Sequence, residues 1–180
     1  MSRIVAKQIF LLSLVLFTAC SEAQNENTQP VKQQPTQEEL IDKNRKLLEQ
    51  ERENINRFIE ANNFKMKETG SGMYYMFLKD SSYTGDFRFK EGDQIKYRYR
   101  ITLLDGTPIA NSKDDGTRVI TINKDNTHIG LHEAFMLMTI GDEMLVILPS
   151  HLAYGISQNE DDVPPRATII YELKPIEKLN

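Results

Sequence analysis

Residues 152–155 read Leu-Ala-Tyr-Gly, and residues 164–171, which begin nine positions after that glycine, read Pro-Pro-Arg-Ala-Thr-Ile-Ile-Tyr. The second segment ends in β-branched and aromatic residues, which are typical of a β-strand. The two motifs therefore stand directly before a strand near the carboxyl end of the chain. No other part of the sequence points as clearly to a chemistry.

Further strand and helix patterns lie in the same half of the chain. In residues 95–103, apolar residues alternate with Lys, Arg and Thr, which predicts a half-buried antiparallel strand. Further strands are predicted at 73–78, 118–122, 143–148 and 167–173, with a helix at 130–138. One helix among several antiparallel strands predicts an α+β fold in which the helix covers one face of the sheet.

An amphipathic helix is predicted ahead of these strands, from about Gln37 to Ala61. Residues 36–39 read Thr-Gln-Glu-Glu, which fits a capping box at its start. Apolar residues then recur on one helical face, at Leu40, Leu47, Leu48, Ile55, Phe58 and Ile59. Asn44 and Glu51 interrupt this stripe, which argues against a long coiled coil. The stripe either packs on the domain that follows or pairs with the same helix of a second chain, forming a homodimer through residues 36–61.

The amino-terminal residues predict export and lipid attachment. Arg3 and Lys7 precede an apolar run at 9–17, which is too short for a comfortable membrane span and is typical of a secretory signal peptide. Cys20 follows the run and is the only cysteine, so the chain can form no internal disulfide. This arrangement resembles a bacterial lipoprotein signal, in which the cysteine becomes the lipidated first residue. The alternative is an ordinary signal peptide with an incidental cysteine.

Composition separates the remaining parts of the chain. A signal peptide at 1–19 is followed by a tether at 20–35, whose Gln, Asn, Glu and Pro cannot bury enough apolar surface to order it. The helical segment spans 36–63 and a globular domain spans 64–180. The net charge of −4 and the absence of a basic block argue against nucleic-acid binding and favour a protein partner.

The two opening motifs resemble the AYG…PPxAT pattern of FKBP-type peptidyl-prolyl cis/trans isomerases. Further motifs at 90–93, 104–108 and 130–134 follow in the order and spacing of that family. The resemblance covers residues 91–179 and implies a twisted antiparallel sheet wrapped around a short helix. The lipoprotein signal and the amino-terminal helix most resemble the gliding-motility-associated FKBP-type lipoproteins of Bacteroidetes.

The family resemblance implies a prolyl isomerase that needs no cofactor. It would be lipid-anchored in the cell envelope, face the periplasm and act on proline-containing polypeptide clients. Some envelope members of the family dimerise through amino-terminal helices. The alternative is a non-catalytic client-binding module or chaperone on the same fold.

The resemblance also implies the site residues. Tyr99 and Tyr171 match aromatic walls of the family's pocket, Leu131 stands where a tryptophan often forms its floor, and the Tyr154 hydroxyl would contact a ligand carbonyl. These four are the predicted catalytic residues. The predicted substrate-binding residues are Ile109, Ile129, Ala153 and Val163.

Three departures from the family pattern bear on this pocket. Ile109-Ala110 stands where many members have Phe-Asp, so the acidic partner of one wall is missing. His128-Ile129 precedes Gly130 where an apolar pair is usual, and Leu131 makes a less aromatic floor. Beside the pocket mouth, residues 159–162 read Asn-Glu-Asp-Asp, which either favours basic substrates or is simply a solvated loop.

Other chemistries find little support in the sequence. The three histidines, at 128, 132 and 151, lack metal-ligand spacing with a second ligand, so no metal site is predicted. Ser150-His151 lacks the glycine pattern of a nucleophile elbow, which argues against a hydrolase.

Overall fold

A computed structural model describes residues 34–81, 88–155 and 163–180 of the chain. The predicted signal peptide, Cys20 and the acidic loop 159–162 lie outside the described residues. Glu38–Asn180 forms one compact unit. Among the described residues, no helix has the length and apolar character required to cross a bilayer.

The described residues form one antiparallel sheet of seven strands. The strands are β1 (Lys67–Glu68), β2 (Tyr74–Lys79), β3 (Gln94–Leu103), β4 (Pro108–Asn111), β5 (Arg118–Thr121), β6 (Glu143–Leu148) and β7 (Ile169–Lys178). Their order across the sheet is β1-β2-β6-β7-β3-β4, and β5 pairs with the first half of β3 beside β4. The antiparallel α+β prediction is therefore confirmed.

A short helix, α2 (Ile129–Met136), covers one face of this sheet. Its Leu131, Ala134 and Phe135 are buried in a core cluster with side chains from β3, β6 and β7. Alternate residues of a strand face opposite sides of a sheet, so the other side chains of the same strands face away from α2. The candidate site lies on the α2 face.

The amino-terminal helix α1 (Gln37–Ala61) contributes to a second apolar cluster. The strand residues of this cluster are separate from those that pack against α2. Ile55 is 1% exposed and lies among Tyr74, Leu145, Ile147 and Ile170. Burying a side chain of this size stabilises a fold by about 1.5–3 kcal/mol. The second half of the apolar stripe, at Ile55, Phe58 and Ile59, therefore packs on the helix's own domain.

The polar residues that interrupt the stripe also make contacts with the domain. The Asn44 side-chain oxygen accepts a hydrogen bond from the Arg166 guanidinium at 3.0 Å, and the Glu51 carboxylate accepts bonds from Ser150 and Thr168. Directly after Glu51, the Arg52 guanidinium donates to the Glu68 carboxylate at 3.1 Å. These breaks in the apolar pattern fix the orientation of the helix on the domain.

Two parts of the sheet differ from the sequence prediction. The prediction ended the last strand at Leu173, but β7 continues to Lys178 and passes Pro175, which faces Tyr97 where the register with β3 shifts. Proline lacks an N–H and fits a strand at such an irregularity. The prediction also missed β1 and β4, which are two and four residues long. Segments this short carry too few residues for a periodic pattern.

Candidate active site

Two neighbouring strands supply the aromatic walls of the candidate site. Tyr171 on β7 lies opposite Ile101 on β3, which places it diagonally across from Tyr99 on the same face of the sheet. Tyr99 is 4% exposed and Tyr171 is 3% exposed. The alternating pattern of β3, which directs Tyr97, Tyr99 and Ile101 to one face, therefore sets this geometry.

The other predicted residues reach the same cluster from separate elements. Leu131 comes from α2 and Val163 from the chain before β7, and both are buried. Ile109 on β4, and Ala153 and Tyr154 after the turn, are partly buried and pack against the cluster. Seven of the eight predicted catalytic and substrate-binding residues are thus brought together by the fold.

A tight turn carries Tyr154 and connects the two opening motifs. A 3-10 turn at Ser150–Leu152 ends with the Gly155 N–H donating to the Ser150 carbonyl at 2.7 Å. Gly155 has φ of 63°, a left-handed conformation that favours glycine. The Arg166 N–H donates to the Gly155 carbonyl at 2.7 Å, which ties the LAYG motif directly to the PPRAT motif.

The structure corrects the prediction for Ile129. Its side chain is 69% exposed, and it is not among the residues that pack on the core cluster. His128 lies in the site instead, with its ring edge-on to Tyr154 at a centroid distance of 4.1 Å and its Nδ1 atom 2.8 Å from the Tyr171 hydroxyl. His128 precedes the helix in an extended conformation, and Ile129 is the first helical residue, so the two side chains diverge.

Gly130 lets the start of α2 pack closely against β6 and the turn that leads to Tyr154. A Cβ atom on this residue would lie 2.4 Å from Cδ2 of Leu148 and 3.1 Å from Cβ of Leu152. Leu152 belongs to the turn that leads to Tyr154. The glycine is therefore required because the helix, β6 and the turn meet with no space between them.

Tyr99 has an acidic partner that the sequence analysis missed. Its hydroxyl donates to Oδ2 of Asp115 at 3.3 Å, and the Arg118 guanidinium lies over its ring at 4.3 Å from the centroid. Burial raises the pKa of Tyr99, with a smaller contribution in the same direction from the Asp115 carboxylate and an opposing one from Arg118. The carboxylate that Ala110 lacks is therefore provided by the loop between β4 and β5.

The two other histidines have structural partners. His132 accepts a hydrogen bond from the Asn123 N–H at 3.0 Å on Nδ1, and its Nε2 lies 3.1 Å from the Asp125 carbonyl. His151 Nε2 lies 3.1 Å from the Ser71 carbonyl. Within the described ranges, no group of three or more His, Cys, Asp or Glu side chains is placed to hold a metal ion.

An antiparallel sheet, a short covering helix and an apolar, tyrosine-walled cluster on the helix face place the protein in a class of small α+β proteins. The sequence profile of FKBP-type peptidyl-prolyl cis-trans isomerases matches residues 85–175. The chain belongs to that family.

Relatives and a solved structure agree with this assignment. The chain is 32% identical over 89 residues to peptidyl-prolyl cis-trans isomerase FKBP9 of Homo sapiens, a match that covers 49% of this chain and 16% of that protein. It is 24% identical over 115 residues to the FKBP-type isomerase FkpA of Buchnera aphidicola, covering 64% of this chain and 46% of the relative. The crystal structure of FkpA from Escherichia coli superposes with a TM-score of 0.59 at 18% identity, covering 81% of this chain and 74% of that one. This last likeness supports the fold.

Proposed function

We propose that the protein is a peptidyl-prolyl cis/trans isomerase that assists the folding of exported polypeptides in the cell envelope. The observation that carries this proposal is the convergence of Tyr99, Leu131, Val163 and Tyr171 in one buried cluster, with Tyr154 packed at its edge. These residues come from β3, α2, β7, the chain before β7 and the turn after β6. Family membership supports the same reaction.

The proposed reaction requires binding rather than covalent chemistry. Rotation about an Xaa–Pro bond breaks the amide resonance, and the uncatalysed exchange takes tens to hundreds of seconds. The twisted amide in the transition state is less polar than the planar amide, so an apolar pocket binds it better than the ground state. The Tyr154 hydroxyl would hold a carbonyl of the substrate beside the proline.

Two observations favour a second candidate, a non-catalytic client-binding module. The floor position holds the aliphatic Leu131, and the polar ring of His128 packs against Tyr154 where the family usually has an apolar side chain. Both differences lower the aromatic and apolar character of the pocket. A site of this kind could bind unfolded chains without stabilising the twisted amide.

The variants Tyr154→Phe and Leu131→Asp separate the two candidates. If the protein is an isomerase that also binds clients, the folded variants no longer accelerate a proline-limited refolding reaction. They still bind a permanently unfolded client protein. For a binding module, the wild type does not accelerate refolding, and Leu131→Asp weakens client binding. If neither variant changes either property, the cluster is not the working site.

We also propose that a lipid attached to Cys20 anchors the protein to a membrane, on the periplasmic side. Its support is the sequence alone, namely the apolar run 9–17 and the small residues before the cysteine. Radiolabelled palmitate fed to cells should be incorporated into the wild type and not into Cys20→Ser. Equal labelling of both proteins would exclude this attachment.

The role in gliding motility rests on the order of signal, helix and isomerase domain in the sequence. Deletion of the gene should impair gliding, and re-expression of the wild-type protein should restore it. Normal gliding of the deletion strain would contradict this role.

Homodimerisation through residues 36–61 is part of the same proposal. Leu40, Ile41 and Leu48 are 51%, 60% and 44% exposed on the first half of α1, so these are the side chains that a second chain would cover. Sedimentation of the wild type and of Leu40→Ser/Ile41→Ser tests this. A dimer that becomes a monomer in the variant supports the interface, and a wild-type monomer contradicts it.

A further inference from the structure

Glu51 connects the amino-terminal helix to both sides of the candidate pocket rim. Its Oε1 atom accepts hydrogen bonds from the Ser150 N–H at 2.7 Å and from the Thr168 hydroxyl at 2.8 Å. Its Oε2 atom accepts a bond from the Ser150 hydroxyl at 3.0 Å. Ser150 is 4% exposed and Thr168 is 8% exposed, so the carboxylate reaches two buried polar groups. Bonds of this type, with a charged acceptor, are stronger than bonds between neutral groups.

The two partners of Glu51 stand at the two ends of the rim. Ser150 begins the 3-10 turn that leads to Ala153 and Tyr154, and its carbonyl accepts the Gly155 N–H. Thr168 follows the PPRAT proline pair and directly precedes β7. Described residues 150–155 and 163–168, which we call the rim, carry Tyr154 and Val163. One carboxylate therefore holds the start and the end of the rim at a fixed separation.

A second polar contact of α1 reaches the middle of the rim. The Asn44 side-chain oxygen accepts from the Arg166 guanidinium at 3.0 Å, and the backbone N–H of Arg166 donates to the Gly155 carbonyl at 2.7 Å. Arg166 has φ of 61°, a conformation that is unfavourable for a side-chain-bearing residue. The hydrogen bond to Asn44 therefore supports the unfavourable conformation of Arg166, which is bonded to Gly155, the residue after Tyr154.

We propose that Glu51 is a positioning residue for the isomerase site, and that α1 thereby acts as part of the catalytic domain. This inference rests on the proposed isomerase function. Glu51 does not contact substrate; it sets the separation of Ser150 and Thr168, and through them the place of the Tyr154 hydroxyl. A hydroxyl displaced by about 1 Å from its working position can lower a rate by about a hundredfold. The contact is formed by residues 99 and 117 positions apart, which is why no local motif indicates it.

Ile55→Ala is the matched control for a purely structural role. Ile55 lies on the same helix one turn further on, and it packs in the separate cluster with Tyr74, Leu145, Ile147 and Ile170. Its truncation weakens the attachment of α1 without removing any contact to the rim. A loss of activity caused only by weaker helix packing would therefore appear in this variant as well.

The test compares Glu51→Ala, Glu51→Gln and Ile55→Ala in the purified protein, at a temperature where urea titrations show each to be folded. We expect Glu51→Ala to lower kcat/KM for an Xaa–Pro peptide about tenfold, as a small displacement of Tyr154 requires. Ile55→Ala should stay within about twofold of the wild type. Glu51→Gln should recover most of the loss, because its Oε1 keeps two acceptor contacts and its amide can donate to the Ser150 hydroxyl. Equal losses in Glu51→Ala and Ile55→Ala would overturn the proposal.

Amide chemical shifts provide a readout that does not depend on catalysis. Glu51→Ala should shift the ¹H–¹⁵N signals of Tyr154, Gly155 and Arg166, whereas Ile55→Ala should leave them unchanged. If Glu51→Ala does not fold, Thr168→Val removes one of the three bonds with little change in volume and should shift the same signals. A wild type without isomerase activity would contradict the proposed function, and unchanged rim signals in the folded Glu51 or Thr168 variants would contradict the role of Glu51.

Discussion

The Nδ1 atom of His128 lies 2.8 Å from the hydroxyl oxygen of Tyr171. The same ring packs edge-on against Tyr154, with the centroids 4.1 Å apart. One histidine thus contacts two of the four residues predicted to be catalytic. An apolar side chain is usual at this place in the family, so the hydrogen bond accompanies a departure from the family pattern.

The His128–Tyr171 hydrogen bond should contribute measurably to stability. We expect Tyr171→Phe to lower the free energy of unfolding by about 1 kcal/mol, because a partly buried imidazole nitrogen loses its partner. A double-mutant cycle with His128→Leu isolates the interaction from the effects of each single change. Urea denaturation of the four proteins should give a coupling energy near 1 kcal/mol, and a coupling near zero would show that the bond does not stabilise the fold.

The Asp115 carboxylate should support the pocket wall through Tyr99. Asp115→Ala removes two hydrogen bonds, one from the Tyr99 hydroxyl and one from the Asn111 N–H. Loss of the Tyr99 bond alone, worth about 0.5–1.5 kcal/mol, corresponds to a reduction of roughly 2- to 13-fold if it is expressed fully in kcat/KM. Asp114→Ala is the control, since Asp114 lies on the same loop and accepts from Asn111 rather than from Tyr99. A peptide isomerisation assay in which both variants lose the same activity would rule out a specific role of Asp115.

Substitution of Gly130 should destabilise the fold. In Gly130→Ala the new methyl group would lie 2.4 Å from Cδ2 of Leu148, so the buried Leu148 side chain or the elements around it must shift. Overpacking of this kind costs about 1–3 kcal/mol. Gly70→Ala is a matched control, because no heavy atom lies within 4 Å of a Cβ at that position. Thermal unfolding should show a lower Tm for Gly130→Ala only, and equal midpoints would mean that the close approach is not maintained in solution.

Ionisation of Tyr97 should lower the free energy of unfolding at high pH. Burial raises the pKa of Tyr97 to about 12, whereas a tyrosine in an unfolded chain has a pKa of about 10. Both states carry the protonated phenol below pH 10, so the contribution of this group is fully present there. Between about pH 10 and 12 the unfolded state loses the proton first, so the free energy of unfolding falls, by about 3 kcal/mol at most.

Tyr97→Phe isolates this effect from the other groups that titrate in the same range. The ring contact with Phe135, at a centroid distance of 4.8 Å, does not need the hydroxyl, so the variant should fold. Urea denaturation between pH 9 and 12 should show a smaller decrease in the variant. Parallel curves for the two proteins would exclude Tyr97 as the source.

Strong periodic patterns predicted most of the fold. The alternation of 95–103 and the apolar stripe of 37–61 were sufficient for β3 and α1, whose observed bounds are Gln94–Leu103 and Gln37–Ala61. The sequence could not predict that β7 passes Pro175, because this depends on a register shift against β3. It also left open what covers α1, since the same stripe fits a domain or a second helix. The contacts of Asn44 and Glu51, which interrupt the stripe, depend on partners distant in sequence.

The candidate site was predicted from family motifs, and the fold brings together seven of the eight residues assigned in this way. Ile129 was assigned one position too late, because the chain enters α2 at that residue and the preceding side chain, His128, turns inward. Asp115 was missed because it belongs to a loop without a motif, sixteen residues from the tyrosine it contacts. Its contact with Tyr99 depends on how the loop between β4 and β5 folds back on β3.

The most direct test of the central claim is exchange spectroscopy by NMR on an Xaa–Pro peptide, with the wild-type protein and with Tyr154→Phe. We expect the wild type to accelerate cis/trans exchange and the variant to do so more weakly while remaining folded. The absence of acceleration by folded wild-type protein, over a panel of residues before the proline, would contradict an isomerase.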